Sequence, residues 1–77
     1  MMKIRISLYG TLRKKRRDLL DRGIVTAKAN SVRQLLAELD LNRDEAAIIF
    51  VNQKRAGLES LIQDGDEIKI FPLLGGG

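Results

Sequence analysis

The amino-acid sequence predicts an α+β domain in which a mixed sheet carries one helix on one face. Three observations predict it. Apolar and polar residues alternate at both ends of the chain, one capped amphipathic stripe lies between them, and 77 residues suffice for only one small core.

At the front, Met2, Ile4, Ile6 and Leu8 alternate with Lys3, Arg5, Ser7 and Tyr9, the period of a strand with one buried face. Gly10-Thr11 ends it. The stretch from Leu12 to Gly23 has room for a turn or two of helix under Leu12, Leu19 and Leu20, but its apolar spacing is weak and it reads as a long basic loop, with Gly23 where a helix or turn needs a left-handed residue. Residues 24–29 form a second, thinly apolar strand. Ser31-Val32-Arg33-Gln34 has the spacing of a capping box, and behind it Val32, Leu35, Leu36 and Leu39 make a single helical stripe ending near Asp40. Residues 41–45 are a polar loop. Ala46–Val51 is a continuous apolar run, which predicts an interior strand covered on both faces. Asn52-Gln53-Lys54-Arg55 turns the chain, and one turn around residues 56–62 is expected to send Leu58, Leu61 and Ile62 into the core. In Asp64-Gly65-Asp66 the glycine is free to take positive φ while the aspartates bond nearby amides. Glu67–Phe71 then alternates as a final strand.

Composition narrows the chemistry. The chain has no Cys, His or Trp, so disulfides, thiolate or imidazole metal ligands and the side chain best suited to neutral proton transfer are all missing. A stand-alone catalyst is a poor fit. The front has no apolar run long enough for a signal peptide or a membrane span, and a cytoplasmic protein is expected. The net charge of +4 is unevenly placed: residues 1–33 hold ten Lys/Arg and two acids, residues 34–77 four Lys/Arg and eight acids. Such asymmetry suits orientation by a charged partner.

Beyond the final strand come Pro72, Leu73, Leu74, Gly75, Gly76 and Gly77. Pro72 has no backbone donor and closes a strand edge, and glycines pass where no side chain fits. Fully extended, the segment from Pro72 to Gly77 reaches roughly 20 Å. The division expected is a domain over residues 1–71 and a flexible tail over 72–77. By composition alone such an end is more often a frayed terminus, and the body attached to it has to decide.

Arg13, Lys14, Lys15, Arg16 and Arg17 are five consecutive cations. A solvated loop is the commonest origin of such a run. Nucleic-acid binding is disfavoured because single-strand recognition uses stacking aromatics and the chain has only Tyr9, Phe50 and Phe71. A docking surface for an acidic partner stands between the two.

With Leu8-Tyr9-Gly10-Thr11-Leu12-Arg13 at the front, Ser31-Val32-Arg33-Gln34-Leu35-Leu36 in the middle, and Val51-Asn52, Asp64-Gly65-Asp66-Glu67-Ile68 and Phe71-Pro72 with the final glycines at the back, the sequence resembles the MoaD/ThiS family of ubiquitin-like sulfur carriers. The resemblance spans essentially the whole chain. It implies a ubiquitin-like β-grasp fold, a four- to five-stranded mixed sheet with one main helix and with the first and last strands parallel at its centre. It implies a function too: the Gly77 carboxyl is adenylated with ATP by an E1-like partner, and a sulfur donor converts the adenylate to a thiocarboxylate for an acceptor synthase subunit. The carrier itself binds no cofactor. Phe71, Pro72, Leu73, Leu74, Gly75 and Gly76 would then meet the partner, with Leu73 and Leu74, which depart from the family's commoner small or β-branched pair, anchoring in an apolar groove. The long first connection and Phe-Pro look like the molybdopterin or tungsten-pterin type, while three final glycines also occur in the thiamine type. A ubiquitin-like modifier, joined through Gly77 to a lysine, would share fold, tail and activating partner.

Overall fold

The computed structural model describes residues 2–15, 23–41 and 46–72. Five strands form one sheet: β1 (Met2–Leu8), β2 (Ile24–Ala27), β3 (Ile48–Val51), β4 (Lys54–Ala56) and β5 (Glu67–Phe71), in the order β2-β1-β5-β3-β4. A short helix, α1 (Leu12–Lys15), follows β1, and the main helix, α2 (Val32–Glu38), follows β2. The central pair β1 and β5 is parallel, as the resemblance implies, and every other pairing is antiparallel.

The alternation in β1 and β5 sorts their side chains between two faces. Ile4, Ile6, Leu8, Ile68 and Ile70 are buried, together with Val32, Leu35, Leu36 and Leu39 from the α2 stripe. Removing these side chains from water is the main stabilising term, at about 25 cal/mol per Å² of apolar surface.

The α2 N-terminus is satisfied almost wholly by partners outside the helix. The Ser31 hydroxyl accepts from the Gln34 amide, while the Val32 and Arg33 amides donate to the carbonyls of Ser60 and Leu58. The capping box is modified: the Gln34 side chain accepts from the Asn30 amide at 2.8 Å, one residue earlier than the usual reciprocal bond. Ser31→Ala is expected to lower stability by about 0.5–2 kcal/mol, read from the denaturant midpoint at constant slope. At the other end Asp40 takes φ of 59°, and the amides of Leu41 and Asp40 donate to the carbonyls of Leu36 and Ala37, a Schellman closure that ends the helix where the stripe ends.

Four sequence expectations need correction. The basic stretch opens as helix, because Leu12 is only 2% exposed and the turn at Gly10 winds it inward. One apolar anchor among cations gives no periodicity to detect. Second, β3 is interior in the sheet but covered on one face: Ile49 is buried, whereas Ile48 and Phe50 are half-buried opposite α2. A single main helix shields only one side. Third, the reversal after β3 is confined to Asn52-Gln53, both at positive φ (53° and 71°), and Lys54 and Arg55 already belong to β4. That pair of angles is what a two-residue hairpin demands, and a three-residue charged edge strand carries no apolar signature.

Fourth, the turn expected within residues 56–62 forms at Leu58-Glu59, where the Ser60 amide donates to the Gly57 carbonyl at 3.2 Å, and Leu58 packs against the core while Ile62 is buried, but Leu61 is 74% exposed. The chain is extended where Leu61 bridges Ser31, so Leu61 and Ile62 point to opposite sides. The turn before β5 behaves as its residue types suggest: Gly65 has φ of 88°, Asp64 accepts from the Lys3 amide, and Asp66 accepts from the Gln63 amide and the Asn52 side chain. Among the described residues, no helix is long and apolar enough to cross a membrane.

Candidate functional site

The site is the root of the C-terminal segment, where β5 leaves the middle of the sheet. Register places Tyr9 beside Phe71, and their rings stack with centroids 4.2 Å apart and planes 9° from parallel. Phe50, across from Lys69 on β3, meets Phe71 edge to face at 5.8 Å. These are all the aromatic residues of the chain, gathered at one spot on the sheet face opposite α2. Each such pair contributes about 0.5–1.5 kcal/mol beyond its buried area.

One residue further along each strand, Gly10 and Pro72 touch. Gly10 has φ of 60°, and a Cβ built on it would lie 2.6 Å from Cγ and 3.2 Å from Cδ of Pro72. Pro72 is buried. The Tyr9 amide donates to the Ile70 carbonyl at 3.1 Å, and the Arg13 amide donates to the Gly10 carbonyl at 3.1 Å. The end of β1 therefore clamps the end of β5 by stacked rings, a backbone bond and a close ring-to-backbone approach that only glycine allows.

Of the residues singled out in the sequence, Phe71 and Pro72 form the root, and Arg13 and Lys14 are exposed on α1, which Lys15 ends. Arg16, Arg17, Leu73, Leu74, Gly75, Gly76 and Gly77 lie outside the described residues. Tyr9, Gly10 and Phe50 were not expected at the site. For Tyr9 the signal was present: it continues the outward parity of Lys3, Arg5 and Ser7, which sets it beside an outward residue of any parallel neighbour.

The rest of this face has a definite pattern. From the registers, Ser7, Lys69, Phe50 and Arg55 make one row across the strands, next to the row of Tyr9, Phe71 and Ile48, and Arg5 and Glu67 make a third, farther from Pro72. Two grooves flank the Tyr9–Phe71 stack. One, of about 500 Å³, is lined by Arg5, Ser7, Tyr9, Arg13 and Ile24, among others, and the other, of about 300 Å³, by Phe50, Gln53, Lys69 and Phe71.

A five-stranded mixed sheet with parallel central strands, one main helix across a single face and a C-terminal segment leaving the middle strand defines a ubiquitin-like β-grasp domain. The chain belongs to the ThiS family, whose model matches residues 6–77. That membership indicates a ubiquitin-like sulfur carrier or modifier. Solved structures share the fold. The small archaeal modifier protein 1 of Methanosarcina acetivorans is 21% identical with a TM-score of 0.70, covering 100% of this chain and 98% of that one. A protein assigned as molybdopterin converting factor, subunit 1, from Pyrococcus furiosus is 16% identical with a TM-score of 0.65, covering 96% of this chain and 100% of its own. A chain of the Amycolatopsis orientalis BexX/CysO complex is 22% identical with a TM-score of 0.63, covering 96% and 99%. No curated protein sequence matches.

Proposed function

We propose that this chain is a sulfur carrier and not itself an enzyme, with the Gly77 carboxyl as the reacting group. A carboxylate is a poor electrophile, so it must first be activated. In the scheme we favour, an E1-like partner positions the Gly77 carboxylate against the α-phosphorus of ATP, pyrophosphate leaves, and a sulfur donor then displaces AMP from the acyl-adenylate to leave a thiocarboxylate. That sulfur is a better nucleophile than the oxygen it replaced, and it passes to an acceptor synthase subunit. The chain supplies presentation; acid, base and metal come from the partners.

The observation that carries this reading is the clamp of Tyr9-Gly10 on Phe71-Pro72. It fixes one point of departure, from which Leu73 to Gly77 span about 17 Å when extended at 3.3–3.6 Å per residue. A rigid root with a slim end suits a reagent that must enter another protein's active site. Assembly of a molybdenum- or tungsten-pterin cofactor leads among the destinations because of the long first connection and the Phe-Pro root. Thiamine-type sulfur delivery is the second reading, favoured by the matched ThiS model.

Intact mass measurement on protein from its native cells tests the proposal. The mass change of one oxygen-for-sulfur exchange, localised to Gly77, is expected. Branched peptides in which Gly76-Gly77 is joined to a lysine, without any sulfur-bearing form, would establish a modifier and end the carrier reading.

A further inference from the structure

We infer that Asn52 and Asp66 are positioning residues for the tail: by bonding at Glu67 they hold β5 in one register, and through it they set how far Gly77 reaches from the sheet. For the reaction itself the inference rests on the carrier reading, and it adds residues at the end of β5 remote from the Tyr9–Phe71 stack. Asn52 opens the two-residue hairpin after β3 at φ of 53°, level with Glu67 in the register of β3 on β5. Its Oδ1 accepts from the Glu67 amide at 2.9 Å, and its own amide donates to the Glu67 carbonyl at 2.8 Å. Its Nδ2 donates at 2.8 Å to Oδ1 of Asp66, whose Oδ2 accepts from the Gln63 amide at 2.7 Å.

The apolar pattern leaves this register open on one side. Ile68, Ile70 and Pro72 are the buried residues among 67–72, and Leu74 has the same parity in the sequence. A slide of two residues that drew the tail inward would carry Ile70 to the place of Ile68 and Pro72 to that of Ile70, with apolar residues still facing the core. It would shorten the reach of Gly77 by about 7 Å at 3.3–3.6 Å per residue. The opposite slide would bring Asp66 onto the buried face, at the cost of desolvating a carboxylate. Only a shortened tail has to be prevented by other means.

Ladder bonds cannot prevent it, because they repeat every two residues and re-form after such a slide, whereas a side chain bonded to one residue selects that residue. At the exit, Pro72 lacks a donor and resists entry into a central strand. At the start, the Asn52–Asp66 pair ties the turn to β3, and a second tie joins it to β1: Asp64 accepts from the Lys3 amide at 2.7 Å, and the Gly65 amide donates to the Lys3 carbonyl at 2.7 Å. Both strands that flank β5 are thus keyed to the turn that begins it. Asn52 is exposed and Asp66 half-buried, so the pair adds little to the core, and its role lies in the residue it selects.

The test is a swap in the full chain. Asn52→Asp alone sets two carboxylates side by side, whereas Asn52→Asp with Asp66→Asn exchanges donor and acceptor and keeps every bond of the pair. In ATP–pyrophosphate exchange with the E1-like enzyme that adenylates the chain, Asn52→Asp is expected to lower kcat at least about threefold with KM within about twofold, and the swap to recover kcat to within about twofold of wild type. Ser31→Ala, which removes the cap of α2 away from β5, should leave kcat unchanged at temperatures where it is folded. NMR of the free chain reads the register directly: in Asn52→Asp, backbone Overhauser contacts of Phe50 with Phe71 should appear beside those with Lys69, its wild-type partner. Should that variant melt below the assay temperature, Asp66→Asn alone, which removes one acceptor oxygen of the pair, carries the same expectations. Wild-type kcat with wild-type contacts, a swap that fails to recover, or an equal loss in Ser31→Ala would each overturn the inference. Absence of exchange in the wild type would instead bring down the carrier reading and the part given to Gly77, while the Overhauser contacts would still decide whether the pair holds the register.

Discussion

Deleting Gly76 and Gly77 is expected to abolish the adenylation proposed for the chain, by at least about 10²-fold in rate, while its thermal midpoint stays within a degree or so of wild type. A shift of only about 1 Å in a reacting group is enough to cost 10²-fold, and removing two residues draws the terminal carboxyl back by about 7 Å. On the proposed reading no side chain elsewhere in the chain can substitute, since the reacting carboxyl would belong to the backbone. ATP–pyrophosphate exchange reads the first half of the prediction and calorimetry the second. Exchange that survived the deletion would discard Gly77 as the reagent. A large fall in the midpoint would show instead that residues after Pro72 contribute to the fold, and the boundary between domain and tail would have to move.

Gly10→Ala is expected to cost about 1–3 kcal/mol, through two effects that can be separated. The first is conformational. An alanine at φ of 60° lies in a region that L-residues occupy at a cost of about 1 kcal/mol or more. The second is steric: the new methyl would sit 2.6 Å from Cγ of the Pro72 ring, so the proline must withdraw. Gly65→Ala isolates the first effect, because Gly65 has φ of 88° and open space around its Cβ position, and Gly57→Ala, with open space and no positive φ, sets the baseline. At about 4–8 °C per kcal/mol for a domain of this size, the Gly10 variant should melt well below both. If the clamp also aims the tail, Gly10→Ala should lower kcat for adenylation at temperatures where the variant is fully folded. Equal midpoints for the Gly10 and Gly65 variants would show that Pro72 moves freely and that the root is no clamp.

Alternating residues made β1 and β5 legible, and the four-residue stripe with its cap made α2 legible, because burial on one side imposes a period that the sequence cannot hide. What escaped notice had no period to impose. Leu12, Leu19 and Leu20 are spaced too weakly among the cations to fix a helix, β4 is three residues with two charges at a sheet edge, and Leu61 faces water because the chain after the Leu58-Glu59 turn is extended where it bridges Ser31. At the site, Phe71-Pro72 was legible as the approach to a glycine-rich end. For Tyr9 only the outward parity was legible, and for Gly10 nothing was, since their role exists only through a pairing with a strand some sixty residues later in the chain. Gln34 shows the limit at short range: the right residue at the right spacing, bonded one amide earlier than the rule expects.

The parallel pairing of β1 with β5 also constrains when the protein can fold. The strand at the middle of the sheet is the last of the five in chain order, so both flanking pairs, β1 with β2 and β3 with β4, precede it. Contacts this distant in sequence form slowly, because a long loop must close before any of them stabilises the chain. Completing the sheet therefore waits on β5, whose Phe71-Pro72 end is the root described above. Prematurely terminated products, lacking their middle strand, would go to proteolysis and would not compete for the activating enzyme.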